Sequence, residues 1–149
     1  MNRFVRILVG MFAVAVGATG CGGDNDSSEV PAGVTSTVDG LTIAINTYDT
    51  EAFLAHTTED FTWQSTGDVT SRSDFVDHFE ANYETLDFHI ESTGALTAER
   101  DGDAYVAEEP GRVTSTVYNE DGRSVYRLVE EDGSWLVQEF RWYERAATE

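Results

Sequence analysis

From Asp87 to Glu144 the chain reads as one strand after another. "DFHIES", "GALTAER", "AYVAEE", "RVTSTVYN", "RSVYRLVEE" and "SWLVQEFRWYE" are short, rich in β-branched and aromatic residues, and separated by polar punctuation. "RDGDA", "NEDGR" and "EEDGS" carry the Asp-Gly pair that two-residue hairpin turns favour, because its residues tolerate positive φ. Hairpin-linked strands give an antiparallel meander, and a meander needs something to cover its apolar face. The front half of the sequence supplies it.

"STVDGLTIAINTYDTEAFLAHTTEDF" predicts two helical segments. Val38, Leu41, Ile45 and Tyr48 recur at spacings of three or four, and Asp49 is placed to cap a second helix carrying Phe53 and Leu54. "DFTWQS" alternates Phe61 and Trp63 with polar residues, as a half-buried strand does, and "GDVT" reads as a loop. Ser71 and Asp74 then form an S-x-x-D capping box that opens the helix "RSDFVDHFEANYETL". Its apolar stripe is Phe75, Phe79, Tyr83 and Leu86. The expected fold class is α+β, with helices segregated on one face of a sheet.

The amino terminus is of a different kind. Arg3 and Arg6 precede an uncharged apolar run, Ile7 to Val16, followed by small residues and Cys21, the single cysteine of the chain. That order is the architecture of a secretory signal, and the run is short for a bilayer span. Ala18-Thr19-Gly20-Cys21 resembles a bacterial lipoprotein signal-peptidase site, with Ala18 where Leu is usual. The resemblance implies cleavage before Cys21 and acylation of it, and two or three acyl chains suffice for stable attachment to a membrane. The alternatives are a plain secretory signal with an incidental thiol and a cysteine of the core. "GGDNDSSEVPAGVT" (22–35) reads as a flexible tether, and residues 36–145 as one domain large enough for its own core. The expected location is outside the cell, held by lipid to the outer face of the cell membrane or to an outer membrane.

Without residues 1–20 the chain carries 28 acids against seven arginines, a formal charge of −21, and no lysine anywhere. Such a surface repels phosphate backbones and anionic headgroups, which excludes nucleic acid as a partner. No Cys/His or His-Glu-x-x-His metal spacing and no glycine-rich phosphate loop is present, and no cofactor is implied.

The order helix–helix–strand–helix–meander, with "TTEDFTWQSTG", "SRSDFVDHF" and the closing "GSWLV" and aromatic tail, resembles the NTF2-like superfamily and within it the SnoaL-like group. The resemblance covers Val38 to Tyr143. It implies a cone in which a curved antiparallel sheet packs on three N-terminal helices, commonly paired through the sheet into a homodimer. It also implies an interior that is an enzyme pocket, a ligand cavity or plain core. Matched to the ketosteroid isomerases of that superfamily, Ser65 falls where the basic Asp would stand and Phe79 where the tyrosine would, so neither the base nor the oxyanion donor is present.

What remains are pocket candidates: Trp63, His78, Phe79, Tyr83, Tyr105 and Arg127. His78 lies beside the apolar stripe and is the one weak candidate for an acid, a base or a ligand contact, or else a boundary histidine. His56 and His89 have less claim. On the last strand, strict alternation puts Leu136, Gln138, Phe140 and Trp142 on one face and Trp135, Val137, Glu139, Arg141 and Tyr143 on the other. Both faces would then need covering, one by helices and one by a partner subunit. Arg127 and Glu139 are placed to pair across strands, pinning register or rimming an interface. The function expected is a membrane-anchored, non-catalytic SnoaL-like domain that binds a partner or a small apolar ligand. The alternative is an isomerase, cyclase or dehydratase of that group acting on a small apolar substrate.

Overall fold

The computed structural model describes residues 29–65, 67–82 and 88–145. The expected signal peptide, Cys21, most of the expected tether, Tyr83 and Leu86 lie outside the described residues. Among those described, no helix is long and apolar enough to cross a membrane.

Helix α1 (Ala32–Thr47) buries Val34, Val38, Leu41, Ala44 and Ile45 on one stripe. It begins inside the stretch read as tether, because Val34 is already fully buried. Gly40 sits within it where the His56 imidazole packs against the helix backbone and leaves no room for a Cβ. The helix ends at Tyr48, whose left-handed φ of 55° turns the chain. Asp49 then caps α2 (Thr50–Ala55), its carboxylate accepting from Ala52 N at 2.9 Å.

Strand β1 (Thr57–Ser65) runs into β2 (Asp68–Ser71), so in "GDVT" Gly67 lies in the turn but the other three residues belong to an edge strand paired with β1 rather than to a loop. Ser71 and Asp74 cap α3 (Arg72–Asn82): Ser71 Oγ accepts from Asp74 N at 3.2 Å, and the Asp74 carboxylate accepts from the Ser71 hydroxyl at 2.6 Å rather than from its main-chain N–H. Arg72, at its first turn, donates to the Leu54 and Thr57 carbonyls and to Thr57 Oγ1, tying α3 to the end of α2.

The rest is β3 (His89–Ser92), β4 (Thr97–Asp101), β5 (Ala104–Ser115), β6 (Tyr118–Glu131) and β7 (Ser134–Glu144). Among the described residues these seven strands form one sheet, ordered β2-β1-β7-β6-β5-β3 with β4 also on β5. The α+β class holds, with two corrections to the finer expectation. The sheet is mixed, since β1 runs parallel to β7. Of the three described helices, α1 and α2 precede the sheet, while α3 lies between β2 and β3.

Two of the three Asp-Gly turns form. Gly102 (φ 64°) links β4 to β5, and Asp132-Gly133 (φ 51° and 80°) links β6 to β7. "NEDGR" instead lies inside β6. Gly122 pairs with Gly111 there; a Cβ at Gly122 would collide with the Tyr143 carbonyl and the Trp142 indole, and one at Gly111 would press on the Glu91 carbonyl. The actual β5–β6 reversal is at Thr116-Val117, so "AYVAEE" and "RVTS" join into one long strand. Pro110 is tolerated in its middle because it falls in the gap between the stretches that pair with β3 and with β4, and its carbonyl accepts from Thr93 N.

A bulge decides which way β7 faces. Arg127 pairs with Glu139 but Leu128 with Val137, so Gln138 is an extra residue. Trp135 and Val137 before the bulge therefore share a face with Phe140 and Trp142 after it, which corrects the alternation expected from sequence. The helix-covered face takes the large rings. The opposite face keeps Leu136, Glu139, Arg141 and Tyr143, and loses the Trp135 and Val137 that had suggested a buried partner surface. β1 is irregular at the same level, advancing from Thr57 to Thr62 while β7 moves from Val137 to Glu139.

Asp60 joins the two irregularities: one carboxylate oxygen accepts from Thr58 Oγ1 (2.7 Å) and the other from Gln138 Nε2 (2.9 Å). Those bonds, Thr58's first, hold the Asp60 carboxyl below its ordinary pKa. A lowered folded-state pKa contributes stability above the unfolded value near 3.9, and that contribution is lost as pH falls through the folded value. Asp60→Asn should therefore cost up to about 1 kcal/mol at pH 7, since the group is exposed. Urea midpoints at pH 7 and pH 3 should show the gap to wild type closing at the acid end. An equal gap at both would refute this role.

Candidate functional site

The centre of the helix-covered side is a column of aromatic rings. Trp63 of β1 is sandwiched between Phe75 of α3 (centroids 4.7 Å apart, 24° between planes) and Phe140 of β7 (4.1 Å, 28°). Phe53 of α2 stacks on Phe75 at 5.0 Å and meets Phe61 and Phe79 edge-on. Phe75 and Phe79 are 4.6 Å apart. All six are buried, so the space between sheet and helices at this level is filled by side chains.

Beside that column a cleft remains. Trp63 and its cross-strand partner Thr70 form one wall, Phe75, Phe79, Asp74 and His78 of α3 another, and Phe88 closes a third. It encloses about 340 Å³, at the small end of ligand pockets. Asp74 and His78 are both exposed and one helical turn apart, so the polar groups are at the rim and the rings at the floor. Phe88 is held by α1. Tyr48 Oη accepts from Phe88 N at 2.8 Å and donates to its carbonyl at 3.2 Å, and Asn46 bonds the Ile90 backbone in both directions at 2.8 Å. Side chains thereby occupy main-chain groups that the edge strand β3 would otherwise leave open.

Of the residues singled out from sequence, Trp63, His78 and Phe79 meet in this cleft, and Tyr83 lies outside the described residues. Tyr105 is on the same side of the sheet but packs edge-on against Trp135 at 5.2 Å. Arg127 is on the opposite face, in a depression of about 230 Å³ with Val106, Val125, Glu139 and Arg141. Arg127 and Glu139 are register partners as expected, yet their ion pairs go elsewhere, Arg127 to Asp101 (2.7 Å) and Glu139 to Arg141. His56 packs on Gly40, and His89 is exposed. Among the described residues no group of three or more His, Cys, Asp or Glu side chains is arranged to hold a metal ion.

The structure adds one polar cluster that sequence reasoning missed. Glu109 (β5), Ser124 (β6) and Trp142 (β7) stand in one register row on the helix-covered face. Tyr126 Oη donates to Glu109 Oε1 at 3.0 Å, and both residues are buried. Burial first, and the nearby Glu109 second, raise the Tyr126 phenol above its ordinary pKa. The signal was present: Ala107, Glu109, Gly111 and Val113 alternate onto one face once β5 is read as a single strand. Glu109 is not part of the aromatic cleft.

No family model matches the sequence, and no curated protein does. Solved structures share the architecture. A protein of unknown function from Mycobacterium tuberculosis is 23% identical, aligning over 76% of this chain and 70% of its own with a TM-score of 0.65. An NTF2-like protein from Cytophaga hutchinsonii is 13% identical over 75% and 95% of the two chains, with a TM-score of 0.66. This is the NTF2-like cone fold. An NTF2-like protein from Pseudomonas putida, 16% identical over 73% and 82% of the chains, superposes with a TM-score of 0.59. At these identities the fold alone is shared, and NTF2-like domains include catalytic and non-catalytic members.

Tyr126→Phe should remove about 1–3 kcal/mol of stability, because it leaves a Glu109 oxygen without its donor in a buried site. Chemical denaturation measures it. A loss under about 0.5 kcal/mol would show that Glu109 reaches water instead.

Proposed function

We propose that the chain is an exported lipoprotein, acylated at Cys21, whose SnoaL-like NTF2-like domain binds a small apolar ligand in the cleft beside Trp63 without transforming it. The observation that carries the binding reading is the form of the cleft. It is walled by four aromatic side chains, and its ionisable groups, Asp74 and His78, are exposed at the rim. Catalysis asks for an ionisable group converging on a bound substrate from within a dry site. Here the buried carboxylate, Glu109, is engaged by Tyr126 and lies three strands from β1, and the resemblance to the ketosteroid isomerases puts Ser65 and Phe79, which lack the needed chemistry, at the positions of base and donor.

The anchor rests on the order of residues 3–21 and on the polar stretch that follows, which holds the domain off the bilayer. The homodimer through the sheet rests on the face opposite the helices. Its half-buried Val106, Val125 and Leu136 and exposed Tyr143 are interspersed with the pairs Arg123–Glu108, Arg127–Asp101 and Arg141–Glu139. Exposed pairs of this kind are worth little alone, so at such an interface they would fix its register and the apolar residues between them would supply its free energy.

Native mass spectrometry of detergent-extracted protein from its own host tests these elements together. A mature chain beginning at Cys21 with two or three acyl chains, a dimer mass and a retained small apolar molecule are expected. A mature chain without acyl groups overturns the anchor, and a monomer overturns the dimer. Thr70→Trp fills the cleft from β2 without entering the aromatic column, so it should abolish ligand retention while thermal stability is kept. Undiminished retention in that variant would place the ligand elsewhere.

A further inference from the structure

Resting on that reading of the cleft, we propose that its ligand class is the hydrophobic organic cation, an ammonium-bearing molecule with an apolar body. The rings of Trp63, Phe75, Phe79 and Phe88 accept the apolar body, and charge at the rim selects among molecules that share it.

Among the described residues the cleft lining contains one carboxylate, Asp74, and no arginine. The chain has no lysine, and the arginines nearest in fold or sequence are spent elsewhere. Arg72, two residues before Asp74, is bonded to the Leu54 and Thr57 carbonyls. Arg112, Arg123, Arg127 and Arg141 lie on β5, β6 and β7, each paired with an acid. An anionic ligand would therefore meet a carboxylate at the rim with no described arginine beside it, inside the field of a chain of formal charge −19. A cation meets the opposite. The field concentrates it near the surface, and at the rim it meets the negative charge of Asp74, whose Oδ2 also accepts from Ser71 Oγ. His78, one turn further along α3, offers an imidazole at the same rim. Asp74 is exposed, so its part in the selection is that of a surface charge, screened by salt.

Three probes with one apolar body separate the possibilities: 2-naphthylmethylammonium, 2-naphthylmethanol and 2-naphthoate. Each is titrated calorimetrically against the full chain in detergent at pH 7.5, in 20 mM and in 500 mM salt. The ammonium should bind about threefold to fivefold more tightly than the alcohol at low salt, the naphthoate should bind most weakly, and the preference should shrink at high salt. In Asp74→Asn the ammonium-to-alcohol ratio should fall toward one. The salt dependence of the wild type tests the same charge selection without relying on a variant. Alcohol or naphthoate binding as tightly as the ammonium would overturn the cation inference and leave the cleft reading standing. Failure of all three to bind would overturn the cleft reading itself.

Discussion

The fold is organised around the sandwich of Phe75, Trp63 and Phe140. It joins three elements distant in sequence, β1, α3 and β7, through stacked rings at 4.1 and 4.7 Å. Removing a buried aromatic of this kind costs about 3–5 kcal/mol, a large share of the margin by which a domain of this size is stable. The sandwich requires β1 to lie beside β7 with Trp63 opposite Phe140, and that pairing is the parallel one. It also requires Phe140 to face the helices, and the Gln138 bulge produces that orientation. Asp60, bonded to both Thr58 and Gln138, links the two strands at their common irregularity.

The same packing leaves the cleft where it is. With both faces of Trp63 covered, only its edge remains to meet Thr70 and Phe88, and α3 brings Asp74 and His78 to the rim by helical spacing from Phe75 and Phe79. The Ser71–Asp74 box fixes where α3 starts, and thereby which of its residues face the opening. Tyr48 and Asn46 fix the third wall by holding the main chain at Phe88 and Ile90. The way the core is closed thus leaves a small, largely apolar recess beside a filled interior.

Much of this was legible in the residues. Local signals with short range were reliable: the Asp49 cap, the capping box, and the turns at Gly102 and Gly133. So were the α1 stripe and the burial of Phe61 and Trp63 against more exposed neighbours. What failed depended on partners far away in sequence. "NEDGR" has turn chemistry, but Gly122 is held in a strand by pairing with β5 and β7, and its missing side chain leaves room for the Tyr143 carbonyl and the Trp142 ring. "GDVT" has loop composition, yet main-chain pairing to β1 makes it a strand whatever its side chains. Trp135, Leu136 and Val137 fall on the faces opposite to those expected relative to Phe140 and Trp142, because one inserted residue shifts the alternation across it, and no residue type marks Gln138 as that insertion. At the site, Trp63, His78 and Phe79 were recognisable from stripe and alternation. The register of Arg127 with Glu139 was legible too, but that pair lies on the face opposite the helices, so Arg127 is no part of the cleft.

On the reading proposed for this domain, a ligand enters the recess beside Trp63 and neither the far sheet face nor the row at Glu109. Amide and side-chain chemical shifts of isotope-labelled protein, followed while a neutral naphthalene probe is added, distinguish these three places. Saturable shifts confined to Trp63, Thr70, Phe75, His78, Phe79 and Phe88 are expected. Saturable shifts centred on Val125, Arg127 and Arg141, or on Glu109 and Ser124, would show the ligand to be bound elsewhere and the recess to be empty of function.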